Sequence, residues 1–286
     1  MKKLVSYSLF EPKFLPQHRS WDAWKNNQAR YWFNIPAVII LNEILFPEYN
    51  LVFYVSKNVW DNPLSEVFRA FPKVKVQTIE RDYNLTEPAI WRMMPLWDRG
   101  VSVLLPRDID SLPTLEEYKY VRAFEDSQCV VGTIRSHENH HGIFCRMLAG
   151  LSAFKPDLIS PQIKGFNFDM YYASRPDEYG SDQNLMIKTF TSEETFTKTS
   201  FLDCKINRQE NDQEFACMHA NLESIEVPNL VRDVLAVTTT TTGTSWLGEP
   251  CDSRGMLLNY LLDLKPQYKK NLSINDKISS FYGVST

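Results

Sequence analysis

A chain of 286 residues has room for one large domain or two small ones with a substantial core. Its 43% hydrophobic and 23% charged residues are ordinary for a globular protein, and a net charge of -4 argues against a broad nucleic-acid surface. The five cysteines are widely spaced without a Cys-x-x-Cys pair, which argues against a zinc knuckle and favours reduced thiols. No apolar run reaches the ~18 residues of a membrane helix, and the first residues are too polar for a signal sequence. We therefore predict a soluble, intracellular protein, cytoplasmic in the simplest case, without an integral membrane segment.

The first 113 residues alternate between strand and helix patterns. Apolar or alternating runs predict strands at residues 4–10, 51–55, 74–79 and 101–105. Helical spacing, with proline in a first turn, predicts helices at residues 36–46, 64–71 and 87–94. This alternation predicts an α/β fold whose sheet is mostly parallel, with helices on both faces. Ligands bind at the carboxyl ends of the strands in such sheets.

The second half of the chain is less regular. Helices are predicted at residues 115–126, 182–190 and 256–264, and strands at residues 129–134 and 201–206. Residues 142–154 are predicted to form a helix or a closely packed turn, the threonine run at 238–242 carries no helix signal, and the polar tail at 265–286 is expected to be loosely held.

Two aspartates, Asp108 and Asp110, follow the fourth predicted strand. In a strand, residues i and i+2 point to the same side, so both carboxylates are expected to face one small volume. Two nearby anions repel each other, which predicts a divalent metal, an arginine or a shared proton beside them. The structural alternative is a solvated turn, since Asp and Pro often end strands.

An ordered set of motifs surrounds these aspartates. It comprises Trp91-Arg92, the Arg-Asp-x-Asp-Ser box at 107–111, Arg135 with His140, Gly150, and Gly180-Ser181-Asp182-Gln183. Over roughly residues 1–190 the set resembles the GT-A glycosyltransferases of the Asp-x-Asp type, which use nucleotide-sugar donors. One departure is Ser136, where that family has an aspartate after the arginine.

The resemblance implies a GT-A, Rossmann-like fold in a single domain, residues 1–286. Residues 1–113 would be the nucleotide-binding half, and residues 114–286 the acceptor-binding half with a polar tail. It implies transfer of a sugar from a nucleotide-sugar, here expected to be a UDP-sugar, to a glycan or glycoconjugate acceptor. Nucleic acid is not an expected partner.

The resemblance also implies a metal ion, Mn²⁺ or Mg²⁺, both of which suit oxygen ligands. Asp110 would be the principal ligand, and Asp108 would bind ribose or a metal-bound water. His219 is the candidate third ligand, because such enzymes often take a late His or Asp. A sugar nucleotide leaves as a diphosphate, and a cation there neutralises the developing charge.

Four further residues are candidates for the donor site and the catalytic base. Arg92 is expected to pair with phosphate or with Asp108, or else to form an ordinary salt bridge. Ser6 and Tyr7 lie on the first strand, where Tyr7 would stack on uracil or belong to the core. Asp182 is the candidate base of an inverting transfer, with capping of the following helix as the structural alternative.

The acceptor candidates are His140, Trp246 and Glu249. His140 belongs to a polar, histidine-rich loop, Trp246 would hold an apolar sugar face, and Glu249 would accept hydrogen bonds from hydroxyls; an exposed connection is the alternative for the latter two. Two other functions stay open. A sugar nucleotidyltransferase would normally carry a glycine-rich loop after the first strand, but residues 10–14 contain no glycine. A non-catalytic carbohydrate-binding protein on the same scaffold is the other.

Overall fold

The computed structural model describes residues 1–11, 21–83, 87–135, 147–159, 167–173, 181–190, 201–205, 218–242, 253–271 and 274–283. The chain divides into two compact units, each built from separate segments. Unit 1 comprises Met1–Ser6, Leu85–Arg107 and Leu115–Val227, and unit 2 comprises Tyr7–Asn84, Asp108–Thr114 and Pro228–Thr286.

Strands and helices alternate along the described chain. The strands are β1 (Lys2–Leu9), β2 (Tyr49–Ser56), β3 (Lys75–Ile79), β4 (Val101–Arg107), β5 (Val131–Arg135), β6 (Ser152–Phe154), β7 (Phe201–Lys205) and β8 (Met218–His219). The α-helices are α1 (Trp21–Leu45), α2 (Lys57–Trp60), α3 (Leu115–Asp126), α4 (Pro156–Ile159), α5 (Phe168–Ala173), α6 (Ser181–Phe190), α7 (Asn229–Thr242), α8 (Ser253–Leu264) and α9 (Ile274–Tyr282). Three 3₁₀ helices span Pro63–Ala70, Glu87–Trp97 and Pro266–Asn271. The predicted alternation of the first 113 residues is therefore confirmed.

Unit 1 contains strands in the order β4-β6-β5-β7-β8. β6 runs antiparallel to both β4 and β5, with Phe154 opposite Leu104 on one side and Val131 on the other. β5 is parallel to β7, and β7 is parallel to β8. In unit 2, β2 and β3 are parallel. The expected α/β fold with a mixed, mostly parallel sheet is confirmed, and β6 supplies an antiparallel strand where a helix or turn was predicted.

The core of unit 2 is built around α1. Its residues from Ile35 to Leu41 are buried, apart from half-exposed positions outside that run, and Pro36 lies inside the helix. The prediction that the helix begins at Pro36 is wrong. Buried Gln28, Trp32 and Ile35 extend the same face at helical spacing, so the packed helix continues to the N-terminal side of the proline.

The C-terminal segment of unit 2 is packed against α1, so the expectation of a loosely held tail is wrong for the described residues. The indole Nε1 of Trp32 donates to Tyr282 Oη at 3.0 Å. Tyr268 Oη donates to the Glu43 carboxylate at 2.7 Å. Ile278 and Tyr282 of α9 are both buried. These two apolar positions, spaced i and i+4 in a polar sequence, give α9 a face that the core can bury.

The threonine run ends a helix instead of forming a loop. Thr238 Oγ1 donates to Val234 O, and Thr239 Oγ1 donates to Leu235 O, both at 2.9 Å. Each hydroxyl thus bonds the carbonyl four residues earlier, which lets a residue of low helix propensity remain helical. In the part of the chain that the structure describes, no helix is long and apolar enough to cross a membrane.

Candidate functional site

Three of the predicted site residues are joined by hydrogen bonds in unit 1. Ser6 Oγ donates to the carbonyl of Arg92 at 2.6 Å. The guanidinium of Arg92 donates through Nη2 to Asp182 Oδ2 at 3.2 Å. The Arg92 and Asp182 side chains are only 5% and 15% exposed. The observed ion pair of Arg92 is therefore largely buried, and it fixes the carboxylate that was predicted to act as base.

Local packing explains how Arg92 and Asp182 are held. Arg92 lies in the 3₁₀ helix Glu87–Trp97 between Trp91 and Met93, both fully buried. Asp182 lies in the first turn of α6, where the positive end of the helix dipole stabilises a carboxylate. Met186 follows Asp182 at i+4 and is also buried, so the face of α6 that carries Asp182 is directed into unit 1. A role at the helix terminus and a catalytic role are compatible.

Arg107, at the end of β4, has a structural environment. Its guanidinium pairs with Glu117 of α3, and both side chains are 6% exposed. It also donates through Nη1 to Pro106 O at 2.8 Å and to Ser152 O at 2.6 Å. The residue directly before Asp108 in sequence is thus anchored to β6 and α3.

The two aspartates lie in a turn and not in a strand. β4 ends at Arg107, and the amide of Ser111 donates to Asp108 O at 3.3 Å. The argument from strand alternation is therefore wrong for this pair, because a turn does not alternate its side chains. Ile109 is nevertheless buried while Asp108 and Asp110 are partly exposed.

Asp110 has the positive partner that its neighbouring carboxylate requires, and that partner is an arginine. Arg30 of α1 donates through Nη2 to Asp110 Oδ2 at 2.9 Å, and the same nitrogen lies 3.2 Å from Tyr31 Oη. The Arg30 Cζ atom lies 5.0 Å from the centroid of the Tyr31 ring. We call Arg30, Tyr31, Asp108 and Asp110 the Arg30 cluster; all four belong to unit 2.

Both aspartates act on the phenol of Tyr31. Burial raises the pKa of Tyr31, the negative charge of Asp110 raises it further, and Asp108 adds in the same direction. Arg30 opposes these effects by its charge and its hydrogen bond. The two carboxylates therefore share one electrostatic environment, as the sequence predicted, although a turn and not a strand brings this about.

Arg30 and Tyr31 were not identified from the sequence. The aspartate pair did predict a positive neighbour, but no spacing pattern connects residue 30 with residue 110. Because the helix was predicted to begin only at residue 36, residues 30 and 31 were not assigned to an element. A longer helix prediction that ignored the proline would have placed them on α1.

Tyr7 is buried in the core of unit 2. Its ring is stacked on Phe53, with centroids 4.8 Å apart. Asn42 Nδ2 donates to Tyr7 Oη at 2.8 Å. This position matches the core alternative for Tyr7, and a nucleobase would have to displace Phe53 to stack there. Base stacking by Tyr7 stays a prediction.

Polar groups that the sequence did not single out meet near the carboxyl ends of β1 and β2. Tyr83 Oη lies 3.2 Å from Glu11 O, 3.3 Å from Ser56 Oγ and 3.1 Å from Asn58 Oδ1. Burial raises the pKa of the Glu11 carboxyl. These residues are hydrogen-bonding groups at the edge where ligands of parallel sheets bind.

The remaining predictions fall on undescribed parts of the chain. His140, Trp246 and Glu249 lie outside the described residues. His219 is the last residue of β8, opposite Asp203 of β7, but its side chain is not described. Within the described ranges, no group of three or more His, Cys, Asp and Glu side chains is arranged to hold a metal ion.

The chemistry of Asp108 and Asp110 nevertheless fits a divalent ion that also contacts substrate. Mg²⁺ and ions like it are commonly held by one or two carboxylates together with substrate phosphates and water. The guanidinium of Arg30, at 2.9 Å from Asp110 Oδ2, shows that this carboxylate accommodates a positive charge. His219 stays a prediction as a third ligand.

No protein-family model matches the chain, and no curated protein sequence matches it. Among solved structures, S. aureus TarS 1-349 is 16% identical with a TM-score of 0.42, and the chain spans 55% of its length with 65% of its own. In complex with UDP-GlcNAc the same protein is 13% identical, with 97% of this chain and 81% of that chain covered and a TM-score of 0.43. A putative nucleotide-diphospho-sugar transferase from Desulfovibrio desulfuricans G20 is 15% identical, with 94% and 99% covered and a TM-score of 0.40. At this level, the likenesses establish neither a shared fold nor a shared activity.

Proposed function

We propose that this chain is a metal-dependent glycosyltransferase of the GT-A type. It would move a sugar from a nucleotide-sugar, in the first instance a UDP-sugar, to a hydroxyl of a glycan or glycoconjugate, with inversion at the anomeric carbon. The observation that carries the proposal is the pair Asp108 and Asp110 directly after β4, with a cation already held at Asp110 Oδ2 at 2.9 Å. The ordered motifs around this pair support the same function.

Asp110 and Asp108 would hold Mn²⁺ or Mg²⁺. When bound, such an ion neutralises the charge that develops on the departing diphosphate. The protein's own contribution is to keep two carboxylates close together in unit 2 without a structural pairing that would remove both of them from solvent. Their partial exposure leaves them accessible to a ligand.

Asp182 would act as the general base. Its carboxylate takes the proton of the acceptor hydroxyl while that oxygen forms a bond to the anomeric carbon. The bond between that carbon and the donor phosphate breaks, and the nucleoside diphosphate leaves with the bonding electrons. Arg92, which donates to Asp182 Oδ2, would orient the carboxylate for this step.

The first test concerns the metal and the carboxylates. We expect the Asp110→Asn variant to lose roughly 100-fold or more of UDP release from the correct UDP-sugar and acceptor, because a neutral amide is a poor ligand for a divalent ion. Chelator should abolish wild-type activity, and Mn²⁺ should restore it. Asp61→Asn is the matched control, since Asp61 is an exposed aspartate of unit 2 paired only with Lys57 among the contacts described. Full activity in chelator would remove the metal from the proposal.

The second test concerns the base. We expect Asp182→Asn to lower the rate of transfer by about 10²- to 10⁴-fold, the usual contribution of a positioned base. Asp169→Asn is the control, because Asp169 also lies in the first turn of a helix and is exposed. NMR of the product's anomeric proton reports the stereochemistry. Retention of configuration would contradict the role of Asp182, and release of pyrophosphate in place of UDP would indicate nucleotidyl transfer.

A further inference from the structure

Arg30 makes a contact that concerns the use of Asp110. Its Nη2 lies 2.9 Å from Asp110 Oδ2, and the two side chains are 23% and 17% exposed. A pair at this depth is screened less by salt than a surface pair, yet it is not sealed inside the core. It is therefore stable enough to form in the free protein and accessible enough to be exchanged.

The same oxygen is needed by a divalent ion. Mg²⁺ and ions of similar size bind carboxylate oxygens at about 2.0–2.1 Å and tolerate little distortion of their ligand geometry. A guanidinium that holds Asp110 Oδ2 occupies the approach to that oxygen and repels a second cation. Both positive groups cannot use this carboxylate fully at once.

We propose that Arg30 is an exchangeable counter-ion of Asp110, which pairs with the carboxylate in the metal-free protein and competes with the divalent ion for it. This inference rests on the proposed function, since it takes Asp108 and Asp110 as the metal site. Arg30 is a positioning residue here and not a catalytic one.

The surroundings of Arg30 favour such an exchange. The Tyr31 ring lies 5.0 Å from the Arg30 Cζ atom, so cation–π attraction can keep the guanidinium nearby when it leaves Asp110. A diphosphate is a strong partner for a guanidinium, with two or more oxygens to accept its fork of donors. A bound nucleoside diphosphate would therefore draw Arg30 from Asp110 and raise the affinity for the metal ion. By linkage, the metal ion would raise the affinity for the nucleotide by the same factor.

The competition is tested by binding and not by turnover. Free Mn²⁺ is measured by electron paramagnetic resonance during titration of the nucleotide-free protein. We expect Arg30→Gln to lower the dissociation constant for Mn²⁺ by roughly ten-fold, which corresponds to about 1.4 kcal/mol. Arg69→Gln removes one positive charge from the exposed Arg69–Glu66 pair of unit 2 and should change the constant by less than about two-fold, as expected for a weak surface pair. Arg30→Lys, which keeps the charge but lacks the planar fork, should lie between wild type and Arg30→Gln.

The exchange is tested by the same titration in saturating UDP. UDP should strengthen Mn²⁺ binding by a larger factor in the wild type than in Arg30→Gln, because only the wild type has a guanidinium to transfer. Circular dichroism and thermal melting verify that each variant is folded, and Arg30→Lys replaces Arg30→Gln if the latter is not. An unchanged or weaker Mn²⁺ affinity in the folded Arg30 variants, or an equal UDP effect, would overturn the inference. If the wild type binds Mn²⁺ but Arg30→Gln binds it no more tightly, only the role of Arg30 fails. If neither binds Mn²⁺, the proposed metal site fails with it.

Discussion

The charged residues near the predicted site each have a partner in their own unit, but the pairs differ in depth. Arg107 and Glu117 are 6% exposed, whereas Arg30 and Asp110 retain about a fifth of their side-chain surface. Loss of one partner from the deeper pair leaves an ion where water cannot solvate it. The deep pair is therefore a determinant of stability, while the shallower pair can exchange partners.

The deeper pair gives a prediction about stability. We expect Glu117→Gln to lower the free energy of unfolding by about 3 kcal/mol or more, because the Arg107 guanidinium would remain buried without a counter-charge. Urea denaturation followed by circular dichroism measures the difference. Glu116→Gln on the same helix is the control, since Glu116 is exposed and should change stability by less than about 0.5 kcal/mol.

A double replacement separates lost attraction from uncompensated charge. Arg107→Met combined with Glu117→Leu should be less destabilising than Glu117→Gln alone, because neither position then carries a buried charge. A double variant that is as unstable as the sum of its single variants would show that packing, and not the unpaired ion, dominates.

At this scale the sequence predicted residue types better than partners. It identified Asp110 as a residue that requires a positive neighbour, and it identified Arg92 and Asp182 in one set. It did not pair them, because contacts such as Arg30 with Asp110 depend on how segments 80 residues apart fold together.

Among the elements, helix α3 and strand β5 of unit 1 fit closely at a glycine. A Cβ added at Gly132 would lie 2.2 Å from Tyr120 Oη and 2.9 Å from Phe124 Cδ2. Tyr120 and Phe124 are spaced i and i+4, so they form one ridge of α3. Tyr120 Oη also donates to Leu202 O of β7 at 2.7 Å, which fixes the ring where the methyl group would go.

This contact predicts an overpacked variant. We expect Gly132→Ala to lower the free energy of unfolding by about 1–3 kcal/mol, measured by urea denaturation. In a Tyr120→Phe background the nearest clashing atom is absent, so Gly132→Ala should be less destabilising there. A double-mutant cycle without coupling between the two positions would contradict this contact.

Several elements followed directly from local pattern. Helix α3 matched its prediction because its apolar positions recur at helical spacing between clear polar ends. The threonine run was missed because its helix depends on side-chain bonds to Val234 O and Leu235 O, which composition does not reveal. β6 was missed because three residues are too few to show a period.

Across the whole chain, unit 2 joins its beginning to its end. Trp32 contacts Tyr282, and Glu43 contacts Tyr268, across 250 and 225 residues. Burial, reinforced by the hydrogen bond and charge of Glu43, raises the pKa of Tyr268 to about 12 from 10.0. The folded protein therefore keeps this proton at a pH where the unfolded chain has lost it.

The sign of the effect follows from linkage. Between pH 10 and about 12 the unfolded state binds fewer protons at Tyr268 than the folded state, so stability falls as the pH rises through this window. Below pH 10 the contribution is fully present. We expect urea denaturation at a series of pH values to show a smaller alkaline loss for Tyr268→Phe than for the wild type. Parallel curves for the two proteins would contradict this assignment. Tyr282, whose pKa is also raised by burial, remains in both proteins.

The fold class was predictable because alternating strands and helices appear locally in the first 113 residues. The packing of α9 against α1 was not, since a polar tail gives no sign of which distant surface it covers. The division into units built from separate segments likewise depends on contacts that no local pattern encodes.

Pro36 has a consequence for the helix that carries Arg30. Proline has no N–H, so the carbonyl of Trp32 lacks its usual donor four residues later, and the ring is pushed against that carbonyl. The backbone of α1 is therefore weakest one turn after Arg30 and Tyr31, while the buried run that follows belongs to the core. A small bend at this joint would swing the first half of the helix as a lever. Arg30 can then travel a short distance toward or away from its carboxylate without any repacking of the core behind it.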